Sequence, residues 1–236
     1  YLQAARLGKS KLEVWARIVQ LDFELNAIDS AIVHAQEALV LWPNHGFFHF
    51  QKGFGQYIKG DAAAALVSLE LAKANLQAQD AWDVQLYSIL GDVYQAQKRY
   101  RDSEKAFDYV LRKQPDDAHV LNNYSYYLSL RKERLVDAAA MSKKLVLQFP
   151  TNGTYLDTYA WVLYQQGLYA EALVYLERAV ADKEPAGAAV WEHLGDALVQ
   201  LNRVDEAISA WKKARKLGGE NQLLDKKIQM HRIIEN

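Results

Sequence analysis

The chain has 236 residues, 50% of them hydrophobic and 24% charged, a balance that excludes a disordered chain. Its formal net charge is −1, so no bulk positive field argues for a nucleic-acid partner. It has no cysteine, which removes disulfides, thiolate catalysis and cysteine-based zinc sites.

No apolar run approaches the roughly 20 residues that a membrane span needs. The chain begins at Tyr1, with neither a methionine nor a signal peptide, and is read as a piece of a longer protein whose export signal or lipid anchor would lie upstream. Residues 1–10 read as the remnant of an earlier helix. From residue 12 onward, stretches of about a dozen residues with helical apolar spacing alternate with short breaks. The breaks carry helix-ending residues, as at Gly60-Asp61, Gly167 and Asn202-Arg203. Two short helices joined this tightly must run antiparallel.

The pairs fall near 12–45, 46–79, 84–117, 118–152, 153–187 and 188–221. A small residue recurs on the first helix at Gly53, Gly91, Ser125, Ala160 and Gly195, with Val19 one unit earlier. A second recurs on the other helix at Ala31, Ala65, Ser103, Ala138, Ala172 and Ala207. A third, looser position runs Ala38, Ala72, Val110, Leu145, Ala179, Ala214. Small side chains at helix crossings let two backbones approach. Pro43, Pro115, Pro150 and Pro185 close four of the pairs, because proline cannot continue a helix. The second pair lacks that proline, and four extra residues precede the third, which predicts a second helix longer by about one turn. That irregularity predicts a change in the stack between residues 75 and 85. A last helix over 222–234 is predicted, with Asn221 as its cap, Leu224, Ile228 and Ile234 on its apolar side, and Lys226, Lys227 and Arg232 facing water. Repeats that cannot bury their faces alone need such a cap.

Leu90-Gly91 with Tyr94, Tyr100, Phe107 and Pro115 resembles the tetratricopeptide repeat (TPR) signature. So does Trp191, Leu194-Gly195, Ala207, Trp211 and Ala214. The resemblance covers about residues 12–221. It implies an all-α fold, a right-handed α-solenoid of about six helix-turn-helix repeats plus a capping helix, forming a single domain over 1–236. The strings LNNYSYYLSLR (121–131), YLDTYAWVLYQQGLY (155–169) and EHLGDALVQL (192–201) resemble TPR proteins of the Gram-negative cell envelope, which implies a periplasmic or outer-membrane-associated location.

Within that resemblance the first helices line a concave groove. Its positions place Gln85, Asp92, Asn122, Tyr126, Asp157, Trp161, Tyr164, Glu192 and Asp196 toward a partner. The set is acidic, amidic and aromatic. It lacks the lysines of a carboxylate clamp and fits a protein or peptide partner carrying Lys or Arg. Tyr126, Trp161 and Tyr164 have a plainer reading as packing between repeats, and Asp92 and Asp157 as solvated helix residues. The adjacent Asn122-Asn123, two middling helix formers in mid-helix, are the least expected there.

Catalytic, metal and cofactor sites are not expected. None of the histidines His34, His45, His49, His119, His193 and His231 forms a metal-binding spacing, and no phosphate loop or nucleophile elbow is present. The basic run Lys212, Lys213, Arg215 and Lys216 complements the dipole of a helix end and could also meet an anion. The expected function is a non-enzymatic protein-interaction scaffold. The alternatives are envelope glycan binding and structural self-assembly, and the oligomeric state stays open.

Overall fold

The structure is a computed structural model in which residues 11–78, 80–181, 186–218 and 222–233 are described. Among them are thirteen α-helices and no strand. The expected helix over residues 1–10, the closing Pro185, the cap Asn221 and the last apolar position Ile234 lie outside the described residues.

Two compact units divide the chain between Asp117 and Ala118. The first holds α1 (Leu12–Glu24), α2 (Ile28–Leu41), α3 (Gly46–Ile58), α4 (Ala62–Ala74), α5 (Asp83–Ala96) and α6 (Tyr100–Lys113). The second holds α7 (Ala118–Leu130), α8 (Leu135–Gln148), α9 (Gly153–Gln165), α10 (Tyr169–Val180), α11 (Ala188–Gln200), α12 (Val204–Lys216) and the capping helix α13 (Gln222–Met230). In each unit consecutive helices pack as pairs, and each pair packs on the next.

The small positions sit where the helices cross. Ala31, Ala65, Ala138, Ala172 and Ala207 are completely buried and Ser103 nearly so. A Cβ added to Gly91 would lie 2.2 Å from the Phe107 ring, and one added to Gly195 would lie 2.4 Å from Trp211. The large partner ring in each pair therefore fills the space that the missing side chain leaves. The Ser103 hydroxyl donates to the Gly91 carbonyl at 2.7 Å, a second tie across the same crossing.

One turn joins the helices of all six pairs. A residue with positive φ follows each first helix, at Asn26, Gly60, Lys98, Lys132, Gly167 and Asn202. Its N–H bonds back three residues, as Lys98 to the Gln95 carbonyl at 3.0 Å, and the next N–H bonds back five, as Arg99 to Tyr94 at 2.8 Å. These two bonds satisfy carbonyls that a helix end leaves open. The other junctions end differently. Trp42, Gln114 and Phe149 take an extended φ near −130° directly before Pro43, Pro115 and Pro150, as the residue preceding a proline must.

The four extra residues do not lengthen the second helix of the second pair. α4 stops at Ala74, where the Asn75 side-chain amide donates to the Leu71 carbonyl at 2.8 Å and caps the helix end. The Asp80 carboxylate then accepts from the Gln77 N–H at 2.7 Å. This connection carries Trp82 onto Phe50, with parallel rings 5.2 Å apart. α4 packs on α5 across this connection.

Candidate partner-binding site

The second unit places the first helices α7, α9 and α11 side by side. Residues 35 apart occupy one row across them: Asn122 on α7, Asp157 on α9, Glu192 on α11 and Lys227 on α13. A neighbouring row holds Tyr126, Trp161 and Asp196. Seven of the nine expected groove residues lie in these rows or beside them.

Most of the acids are already engaged within the chain. The Asp157 carboxylate meets His193 Nδ1 at 2.9 Å, with both side chains largely buried. Lys227 Nζ donates to Glu192 at 2.8 Å and to both oxygens of Asp196 at 2.8 and 2.9 Å. Asp196 also accepts from the Trp211 indole N–H at 3.0 Å. Burial alone would lower the Lys227 pKa, but the charge and hydrogen bonds of Asp196 and Glu192 outweigh it and hold the ammonium charged.

Lys227 thus does not face water: it is 4% exposed. The reason is positional. α13 stands where the first helix of a further repeat would stand, so the residue 35 after Glu192 points into the stack. Sequence reading missed this lysine and also His193. The 35-residue register was the signal available for Lys227, whereas His193 and Asp157 lie 36 residues apart, one step off that register.

The aromatic groups form a tight cluster. The Trp161 indole lies parallel to the His193 ring at 4.0 Å and 17°, and to the Tyr164 ring at 4.7 Å and 5°. The Gln200 amide donates to the Tyr164 hydroxyl at 3.3 Å. Burial first, then the charges of Asp157 and Glu192, raises the Tyr126 pKa, so its hydroxyl stays protonated. Two polar atoms in this region are buried without a hydrogen-bond partner, Trp161 Nε1 and Asn122 Oδ1. The Asn122 amide nitrogen is spent on Asn123 Oδ1 at 3.2 Å.

The first unit holds the remaining two expected residues. Gln85 is exposed on α5. Asp92 is buried and accepts from the Tyr57 hydroxyl at 3.0 Å. Burial, followed by Asp92, pushes the Tyr57 pKa up to about 12. Phe50 is core, stacked on Trp82 and, at 6.2 Å, on Phe54.

Among the described residues no group of His, Asp and Glu is arranged to hold a metal ion, and no helix is long and apolar enough to cross a membrane. The architecture is an all-α helical repeat with a capping helix, a class whose members in general hold other proteins instead of catalysing reactions. The tetratricopeptide repeat family model matches residues 90–150 and 160–220, more than half of the chain. The chain belongs to the tetratricopeptide repeat family.

The TPR repeat-containing protein PA4667 of Pseudomonas aeruginosa is 33% identical over 96 residues. That stretch is 39% of this chain and 15% of the relative, so the chain spans only a small part of that protein's length. Among solved structures, a tetratricopeptide repeat protein from Parabacteroides merdae superposes with TM-score 0.68 at 15% identity, covering 97% of this chain and 88% of that one. PilF of Pseudomonas aeruginosa gives TM-score 0.69 at 16% identity, over 93% of this chain and 97% of its own. PilW, described as a widely conserved type IV pilus biogenesis factor, gives 0.66 at 22% identity, over 79% and 85%. These likenesses concern the fold.

Proposed function

We propose that this chain is a non-enzymatic interaction scaffold whose second unit grips a segment of a protein partner along the first helices α7, α9 and α11. One observation carries the reading. Part-exposed Tyr126, Trp161 and Tyr164 lie on consecutive first helices beside a buried acceptor, Asn122 Oδ1, and a buried donor, Trp161 Nε1, that lack partners in the chain. An unpaired buried polar atom costs about 1–3 kcal/mol. A peptide group offers both an N–H and a carbonyl, which complement the two atoms. Both are covered in the free protein, so a partner reaches them by displacing a neighbouring side chain.

The partner is read by aromatic edges and amides more than by charge. Asp157, Glu192 and Asp196 already hold His193 and Lys227, which weakens the expectation of a basic partner. Sugar stacking on Trp161 loses its support for a similar reason, since His193 and Tyr164 occupy the stacking surface of the indole. An envelope location belongs to the same proposal. It rests on the wording of the C-terminal repeats and on the likeness to PilF and PilW.

Affinity capture from the source organism tests the site. Tyr126→Ala and Trp161→Ala, each checked for folding by circular dichroism, are expected to lose the captured partner, while Gln85→Ala is expected to keep it. Unchanged capture by folded Trp161→Ala would refute this placement.

A further inference from the structure

α11 presents two faces. Glu192 and Asp196 point into the polar rows described above. Trp191, Leu194 and Leu198 follow the spacing i, i+3, i+7 and lie on the other side, since each residue turns the helix by about 100°. That side forms the floor of a cleft of about 430 Å³ between α10 and α12. The volume is in the range of a small-molecule or side-chain pocket.

The walls of the cleft differ in charge at its two ends. At one end Arg203 is fully used: it pairs with Glu206 at 2.6 Å and with Glu177 at 3.7 Å. At the other end stands Lys213. Its ammonium lies 5.2 Å from the centre of the Trp191 ring, and no carboxylate among the described residues is paired with it. Asp205, the free acid of the same wall, precedes Lys213 by eight residues, about 12 Å along the helix axis. Among the described residues it therefore leaves the cation at the Trp191 end without a neutralising carboxylate. The helix dipole explains why basic residues gather at the end of α12. It does not explain why one of them is aimed across an indole into an apolar cleft.

We propose that this cleft is a second docking site, separate from the α7–α9–α11 surface. Its occupant is an apolar or aromatic side chain of a protein partner with a carboxylate next to it in sequence. The side chain covers Trp191, Leu194 and Leu198, and the carboxylate meets Lys213. Charge complementarity sets the choice of an acidic neighbour: a basic one would face the Lys213 ammonium across the indole.

The test uses the whole chain and three capped dipeptides, N-acetyl-Phe-Glu-amide, N-acetyl-Phe-Gln-amide and N-acetyl-Phe-Lys-amide, titrated at low salt and followed by NMR. The proposal expects saturable shifts at the Trp191 indole N–H and at the Leu194 and Leu198 methyls. The Glu peptide should bind about two- to fivefold more tightly than the Gln peptide, as an exposed charge contact allows, and the Lys peptide more weakly than either. Lys213→Gln, an exposed substitution, should make the Glu and Gln peptides equal while both still shift the floor residues. The absence of saturable shifts at Trp191, shifts confined to Tyr126 and Trp161, or a Glu preference that survives Lys213→Gln would each overturn it.

Discussion

His193 is 8% exposed, hydrogen-bonded to Asp157 and stacked on Trp161. Burial pulls its pKa down, but the charge and hydrogen bond of Asp157, with Asp196 and Glu192 behind them, leave it raised above the usual value of about 6.5. A raised folded-state pKa stabilises the fold fully below the unfolded value, and that contribution fades as pH climbs through the folded one. His193→Gln is therefore expected to cost more stability at about pH 5.5 than at about pH 9, measured by urea denaturation. An equal cost at both would mean that the imidazole is neutral. Gly91 makes a simpler case: Gly91→Ala drives a methyl into Phe107 and should cost about 1–3 kcal/mol. The demand for a small residue at position 91 was legible from the repeat. The pairing of His193 was not, because adjacent Glu192 and His193 leave the helix in different directions and their targets lie far off in the chain, Lys227 35 residues after the one and Asp157 36 residues before the other.

At the scale of elements, the turns between paired helices show what the pattern could and could not give. Their locations were readable from glycine and asparagine at residues 60, 167 and 202. That Lys98 and Lys132 take the same left-handed conformation was hidden, because lysine carries no turn signal. Each pays for a conformation that disfavours a side chain by about 1–2 kcal/mol. Lys98→Gly and Lys132→Gly should each raise stability by about 0.5–1 kcal/mol, because glycine's greater entropy loss offsets part of the gain. A fall in the denaturation midpoint would contradict this. The missed end of α4 has a similar origin: an extra turn of residues reads as more helix, while Asn75 and Asp80 spend it on a local connection that delivers Trp82. For α13 the pattern gave the helix but not the fate of Lys227. Lys227→Met leaves Glu192 and Asp196 without their cation and should cost about 3–5 kcal/mol. Adding Asp196→Asn should restore part of it, and a Lys227→Met variant as stable as the parent would show that the buried pair contributes nothing.

For the molecule as a whole, helix order, the pairing of helices and the family were all written in a 34- or 35-residue rhythm. The candidate surface was only partly legible. The sequence shows which residues sit on the first helices. It does not show that Asp157 finds its partner in the next repeat and Glu192 and Asp196 theirs in the capping helix, which is why the proposed site rests on Tyr126, Trp161, Tyr164 and Asn122 and not on the acids. The measurement that bears most directly on this account is site-specific photocrosslinking in the source organism, with p-benzoylphenylalanine in place of Tyr126 on α7 or of Val136, which is 78% exposed on α8. A discrete adduct from position 126 that disappears with Trp161→Ala and is not formed from position 136 is the predicted result. No adduct from 126, or the same adduct from 136, would contradict it.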